Sequence, residues 1–331
     1  ELSGMIISAI ITTVMAMTGF GYWAIAAQQI SQLVVKVAII WGLSHWRPTL
    51  DFRFGLLKDV FSFSFLLIIS SLISTITRYV YNFFIGPRYT AQDLGYYGQA
   101  FKFHQIPYSV ITSTITGVSY PVFSSLNNDK TRQMLYIQKI MRMTAFITFP
   151  VMIGLYCIAP NFISVILTDK WMPMLPYFKI MILAGMAMPF INLNLNIFNV
   201  IGKPRLYFQM EFLRNGLIIA LLFVLNSTIE TMLYGYLIAT YTTLIISGFM
   251  LQKHINYSLF EQISHLLPSL VLAIIMGTTV ATIEEKLIMS DAMQLFLQLG
   301  IGAFAYISLA WGCHLQIMDD IIEMIKNKIK K

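Results

Sequence analysis

Lys102 stands in the segment LGYYGQAFKFHQIP, residues 94–107, where most neighbours are apolar or aromatic. A helix turns about 100° per residue, so side chains can be sorted by face. Gly95, Gln99, Lys102, Ser109 and Ser113 share one stripe with Gln105 at its edge, and His104 points to the opposite side. Lys102 lies roughly 12 Å inside this segment at 1.5 Å per residue. Its stem can snorkel toward the membrane surface. Alternatively the ammonium faces a water-filled cavity and avoids the cost, about 2.5–3.5 kcal/mol, of a cation in hydrocarbon. The second arrangement would bind anions. His104, on the other face, reads as a packing residue against a neighbouring helix.

The preceding apolar segment carries a similar seam. Ser64, Ser71, Ser74, Thr75, Arg78, Tyr81 and Asn82 fall on one face of FSFSFLLIISSLISTITRYVYNFF. Small hydroxyl residues alone would suit helix packing, but Arg78 either snorkels or enters a polar cavity. Gln29, Gln32 and Lys36 lie near one face of an earlier segment, with Lys36 able to reach the near surface. Asn192, Asn196 and Asn199 form a stripe that Asn194 leaves. Amides both donate and accept, which suits sugar hydroxyls as well as interhelical hydrogen bonds. Glu211 and Arg214, three residues apart, read as an internal ion pair rather than a ligand site. The deep charges are thus mainly positive, Lys36, Arg78 and Lys102. A cavity lined by them favours a phosphate-bearing substrate over a cationic drug.

These seams need helices that cross a membrane. The chain has 331 residues, of which 57% are hydrophobic and 11% charged, too few charges to clothe a soluble protein of this length. Its mean hydropathy is +0.71. Apolar runs of about 20 residues recur near 3–18, 21–43, 60–85, 94–118, 136–159, 177–200, 207–226, 232–251, 266–283 and 292–312. The expected fold is an all-α integral membrane protein with about ten transmembrane helices, because hydrocarbon leaves no partner for open backbone groups. GFG at 19–21 reads as a turn between spans, and Pro189 as a bend within one. The net charge of +7 sorts into alternate loops, Arg47, Arg53, Lys130, Arg132, Lys203, Arg205 and the lysine-rich tail lying on one side. That pattern expresses topology rather than nucleic-acid binding, and sets both ends of the chain in the cytoplasm. The chain begins at Glu1 without a basic, cleavable signal, and an N-terminally incomplete sequence is expected.

Catalytic and cofactor motifs are missing from the sequence: there is no phosphate-loop glycine pattern, HExxH, GxSxG or paired-cysteine spacing. Cys157 and Cys313 fall in apolar runs and read as free thiols. The expectation is a protein with no cofactor, no metal and no enzymatic centre, whose chemistry lies in its intramembrane polar residues.

GFGYWAIAAQQ (19–29), WRPTLDF (46–52), LGYYGQAFKFHQIP (94–107), YPVFSSL (120–126), KWMPMLPYFKIM (170–181) and NLNIFNVIGKPRLYF (194–208) together resemble the polysaccharide transporters of the multidrug/oligosaccharidyl-lipid/polysaccharide exporter superfamily. The resemblance implies two six-helix lobes around a central cavity that alternates its access. Residues 1–45 would be the last two helices of the first lobe, 46–59 a cytoplasmic linker and 60–252 the second six-helix lobe. Residues 264–313 would supply two further helices and 314–331 a basic cytoplasmic tail. About four spans would precede Glu1. The implied function is a flippase in the bacterial inner membrane, carrying polyprenyl-diphosphate-linked oligosaccharide for O-antigen, capsule or exopolysaccharide synthesis. Lys102 and Arg78 would take the diphosphate. Gln99, Gln105, Asn82, Asn192, Asn196 and Asn199 would line the cavity or meet the sugar, with Lys36 as a further cavity charge. Membrane lipids, a polysaccharide polymerase and chain-length proteins are the implied partners. A peptidoglycan-precursor or multidrug exporter of the same superfamily, or a membrane polysaccharide polymerase, stands as the alternative.

Overall fold

The computed structural model describes residues 2–44, 54–125, 130–286, 290–315 and 317–318, and among them every regular element is helical. WRPTLDF and the end of the basic tail lie outside the described residues. The chain divides into two compact units, Glu1–Phe61 and Ser62–Lys331. In the first, helix α1 (Leu2–Met17) packs on helix α2 (Trp23–Leu43). The turn between them needs left-handed backbone at Gly19 (φ 87°) and Gly21 (φ 53°), which only glycine adopts without strain. The GFG turn read from the sequence is therefore present.

Helix α3 (Phe54–Arg88) leads into the second unit, followed by α4 (Ala91–Ser125), α5 (Lys130–Cys157) and a short α6 (Ala159–Leu167). A 3₁₀ turn at Asp169–Met174 enters α7 (Leu175–Gly185) and α8 (Met188–Val200). Helices α9 (Pro204–Val224), α10 (Ile229–Ile255), α11 (Leu259–Lys286) and α12 (Asp291–Gly312) complete it. Eight described helical segments are long and apolar enough to cross a membrane, and Ser3–Met17 is a shorter apolar helix. The remaining expected span, 94–118 within α4, is absent from the eight. Its polar seam lowers its hydropathy, yet it packs against α5, α7 and α8 and buries Tyr97, Ala100 and His104.

The span Asp169–Val200 is 72% buried, against 44% or less for every other span, so it forms the centre of the second unit. It is broken at Met186–Ala187, and Pro189 stands in the first turn of the helix that follows, where its missing N–H costs nothing. This is the bend expected at Pro189. One core cluster gathers on α7 around Phe178 and Met181, and a second on α8 around Phe190 and Phe198.

Between helices in hydrocarbon the drive is close packing and hydrogen bonding rather than removal from water. Asn194, fully buried and off the asparagine stripe as read, donates to Ser247 Oγ at 3.0 Å. Gln262 donates to the Gly248 carbonyl at 3.1 Å and fastens α11 to α10. Gly277 lets α11 approach α5: a Cβ there would stand 2.8 Å from Ile153 Cγ2 and 3.2 Å from Cys157 Sγ. Replacing Gly277 by Leu is expected to force these helices apart and destabilise the protein by about 1–3 kcal/mol. Thermal unfolding in detergent would register this as a lower Tm, whereas Gly300→Leu, with open space at its Cβ, should leave Tm near the wild-type value.

A cationic, aromatic-walled cavity as candidate functional site

Six helices of the second unit line a cavity of ≈ 260 Å³. From α3 it receives Ser74, Thr77, Arg78 and Tyr81, and from α4 Tyr97, Phe101, Gln105 and Tyr108. Met181 of α7 and Met188 and Asn192 of α8 form its floor on either side of the helix break. Arg214 and Asn215 of α9 and Tyr236 of α10 close it. At about 30 Å³ per water molecule the space equals roughly nine waters, enough for a diphosphate or one sugar ring.

Its electrostatics follow from three charges. Glu211, buried behind the wall, accepts from Arg214 Nη2 at 2.7 Å and from Ser74 Oγ at 3.1 Å. Asn215 Nδ2 donates to the Glu211 backbone carbonyl at 2.7 Å and reaches Ser74 Oγ at 3.3 Å. This network holds α9 to α3 and neutralises Arg214. Arg78 has no hydrogen-bond or ion-pair partner among the described residues. Two guanidinium groups and one carboxylate leave one net positive charge, carried by Arg78. Both arginines line the same cavity as Tyr108 and Tyr236.

The rings form a continuous wall. Tyr81 stacks on Tyr97 at 5.8 Å and meets Tyr236 edge-on at 6.3 Å, and Tyr97 stacks on Phe101 at 6.0 Å. Tyr81 also donates to the Met232 carbonyl at 3.2 Å, which fixes its ring. Such surfaces offer flat apolar faces with polar edges, and a guanidinium adds a planar fork matched to phosphate oxygens. The arrangement can hold an anion beside a ring-shaped polar group.

Of the ligand residues expected from the sequence, Arg78, Gln105 and Asn192 come together here, with Ser74 and Tyr81 of the same α3 seam. Lys102 does not line the cavity and is exposed. Tyr97, Phe101, Gln105 and Tyr108 define the cavity face of α4, and Lys102 is turned about 100° away from their centre. Gln99 is half-buried on the far side of α4, with its Oε1 enclosed and unpartnered. Asn82 is exposed, about 70° off the centre of the Ser74–Arg78–Tyr81 face. Asn196 is a turn beyond Asn192, donating to the Asn192 carbonyl at 2.8 Å, and Asn199 is half-buried one turn further. Lys36 belongs to the first unit. His104 is fully buried between Phe101 and Tyr108, with rings 5.2 and 5.6 Å away, as a packing residue should be. The Glu211–Arg214 pair exists as read, but Arg214 also faces the cavity. The available signal was Asn215: Glu211, Arg214 and Asn215 at i, i+3 and i+4 make a polar patch larger than an ion pair needs.

Comparison with known proteins bears on this geometry. Residues 1–176 match the family described as "Polysaccharide biosynthesis protein". The teichuronic acid biosynthesis protein TuaB of Bacillus subtilis (strain 168) is 25% identical over 311 residues, covering 88% of this chain and 64% of TuaB. The succinoglycan biosynthesis transport protein ExoT of Rhizobium meliloti (strain 1021) is 26% identical over 50% of this chain and 33% of its own length. The chain thus spans less than two thirds of these relatives. Among solved structures, the lipid II flippase MurJ in an inward closed conformation superposes with a TM-score of 0.70 at 17% identity, over 92% of this chain and 65% of MurJ. That likeness shows a shared fold.

Glu211→Ala should destabilise the protein by about 3 kcal/mol, because it strands the Arg214 guanidinium in a mostly buried site. Replacing both residues, Glu211→Leu with Arg214→Met, should recover most of the loss in a double-mutant cycle followed by thermal unfolding.

Proposed function

Since the chain belongs to the polysaccharide biosynthesis protein family, we propose that it is part of a flippase for polyprenyl-diphosphate-linked oligosaccharide in the bacterial cytoplasmic membrane. The supporting observation is the unpartnered Arg78 in a cavity walled by tyrosines. The diphosphate sits against Arg78, with Arg214 contributing its outward N–H groups while Glu211 holds it in place. Gln105 and Asn192 hydrogen-bond the first sugar, whose ring lies on the Tyr81–Tyr97–Tyr236 wall. Asn196 and Asn199 continue that polar stripe toward one end of the bundle. Lys102, on an accessible face of α4 with Ser109 and Ser113, is outside this headgroup site.

A carrier of this kind transports by exposing the site to one leaflet at a time. Residues 60–252 act as one six-helix lobe, and 264–313 as two additional helices. Residues 1–45 belong to the partner lobe, joined through 46–59, with 314–331 as a tail on the cytoplasmic side together with both ends of this chain. The relatives' printed roles in teichuronic acid and succinoglycan biosynthesis favour surface polysaccharide as the product. No bond is made or broken in this cycle, so the role is transport rather than catalysis. Polymerase and chain-length proteins act on the delivered units.

The test is an allelic replacement in the producing bacterium. Arg78→Gln should lower surface polysaccharide at least about tenfold, the lower bound set by losing a charge-assisted hydrogen bond worth roughly 1.5–3 kcal/mol. Lipid-linked oligosaccharide should accumulate at normal protein level. Lys102→Gln should keep most of the transport. Unchanged export with Arg78→Gln would remove the cavity from the mechanism.

A further inference from the structure

A second cavity, of ≈ 500 Å³, lies between α5, α11 and the residues that follow α12. It shares no lining residue with the cavity around Arg78. Arg142 projects into it from α5, about 9 Å inside the apolar run that begins near residue 136. The Arg142 Nε atom is enclosed and has no hydrogen-bond partner, and the guanidinium makes no ion pair among the described residues. His265 of α11 and His314, just beyond α12, line the same space, with Ser264 beside them. Tyr257 is fully buried, and its hydroxyl meets His265 Nδ1 at 2.8 Å, which fixes the ring and leaves Nε2 for a ligand. Among the described residues that line the cavity there is no carboxylate. Glu261, one turn before His265, is engaged by the Ser258 N–H at 3.0 Å.

The rest of the lining is apolar, and part of it opens outward. Leu267 and Val271 on α11 are 50% and 46% exposed, while Leu272, the next residue on the same helix, is buried. In a membrane those exposed faces meet acyl chains. The space is therefore a groove with a cationic, imidazole-bearing end and an apolar length open to the bilayer. A basic pocket between membrane helices fits a lipid headgroup phosphate.

We propose that this groove is a binding site for an anionic phospholipid. Its phosphodiester lies against Arg142, His265 and His314, and one acyl chain runs along Leu267, Val271 and Leu272. The lipid supplies the acceptor that Arg142 lacks and ties α5 to α11 and the end of α12. The proposal is independent of the transport reading, since it concerns other residues and a resident lipid rather than cargo.

The full chain purified in neutral detergent provides the test. Native mass spectrometry and lipid extraction should find bound phosphatidylglycerol or cardiolipin, reduced at least about fivefold in Arg142→Gln. Added phosphatidylglycerol should raise the wild-type Tm by about 3 °C and leave Arg142→Gln unmoved. Phosphatidylcholine and inorganic phosphate should not protect either protein. Val271→Trp fills the apolar length at an outward-facing position, and should lose the lipid with Arg142 intact, which keeps the test informative should Arg142→Gln fold poorly. Equal lipid retention by both variants overturns the site. Protection by phosphate alone, or by phosphatidylcholine as well as by phosphatidylglycerol, overturns its assignment to an anionic lipid.

Discussion

A guanidinium inside a membrane protein must find an acceptor from the protein, from water or from a ligand, because hydrocarbon offers none. The second unit meets this constraint unequally. Arg214 is satisfied by Glu211 at 2.7 Å, and that carboxylate is in turn held by Ser74. The ion pair thereby joins α9 to α3 and fixes one wall of the cavity. Arg78, one helical turn from Ser74, has no such partner, so its charge is left to the cavity. Were Arg78 also matched by a carboxylate, the hollow would be neutral and would draw no anion.

The same constraint explains where the backbone is allowed to break. The most buried span is interrupted at Met186–Ala187, where protein rather than lipid surrounds it. The break sets Met181 and Met188 on either side of the cavity floor and brings Asn192 to its edge. Gly185 stands at the end of α7, where a Cβ would lie 2.6 Å from Met152 Cε of α5, with Tyr108 and His104 of α4 at 3.5 and 3.6 Å. The missing side chain makes room for Met152 beside the face of α4 that carries Tyr97, Phe101 and Tyr108. A helix without continuous backbone hydrogen bonding is also a natural place for bending, and here it adjoins the site.

Much of this was legible in the chain. Two glycines with positive φ form the turn at GFG, Pro189 marks the break, Asn194 leaves the asparagine stripe to bond Ser247, and His104 packs inward. Each depends on local geometry or on the angle between neighbours on one helix, which residue spacing encodes. Lys102 and Arg214 were harder for one reason. Spacing shows that Lys102 shares a face with Gln99 and Ser109, but not which neighbour, if any, that face meets. It shows that Glu211 and Arg214 can pair, but not that the far side of the guanidinium borders a hollow.

The amino-acid sequence by itself determined the all-helical membrane class, the approximate places of most spans and the excess of positive charge, since these follow from composition and the lengths of apolar runs. Which seam became a site was decided only by tertiary structure. Rotation of each helix about its axis is set by side-chain packing between helices distant in sequence. That packing turned Arg78, Arg214 and four tyrosines toward one another and left Lys102 on an accessible face.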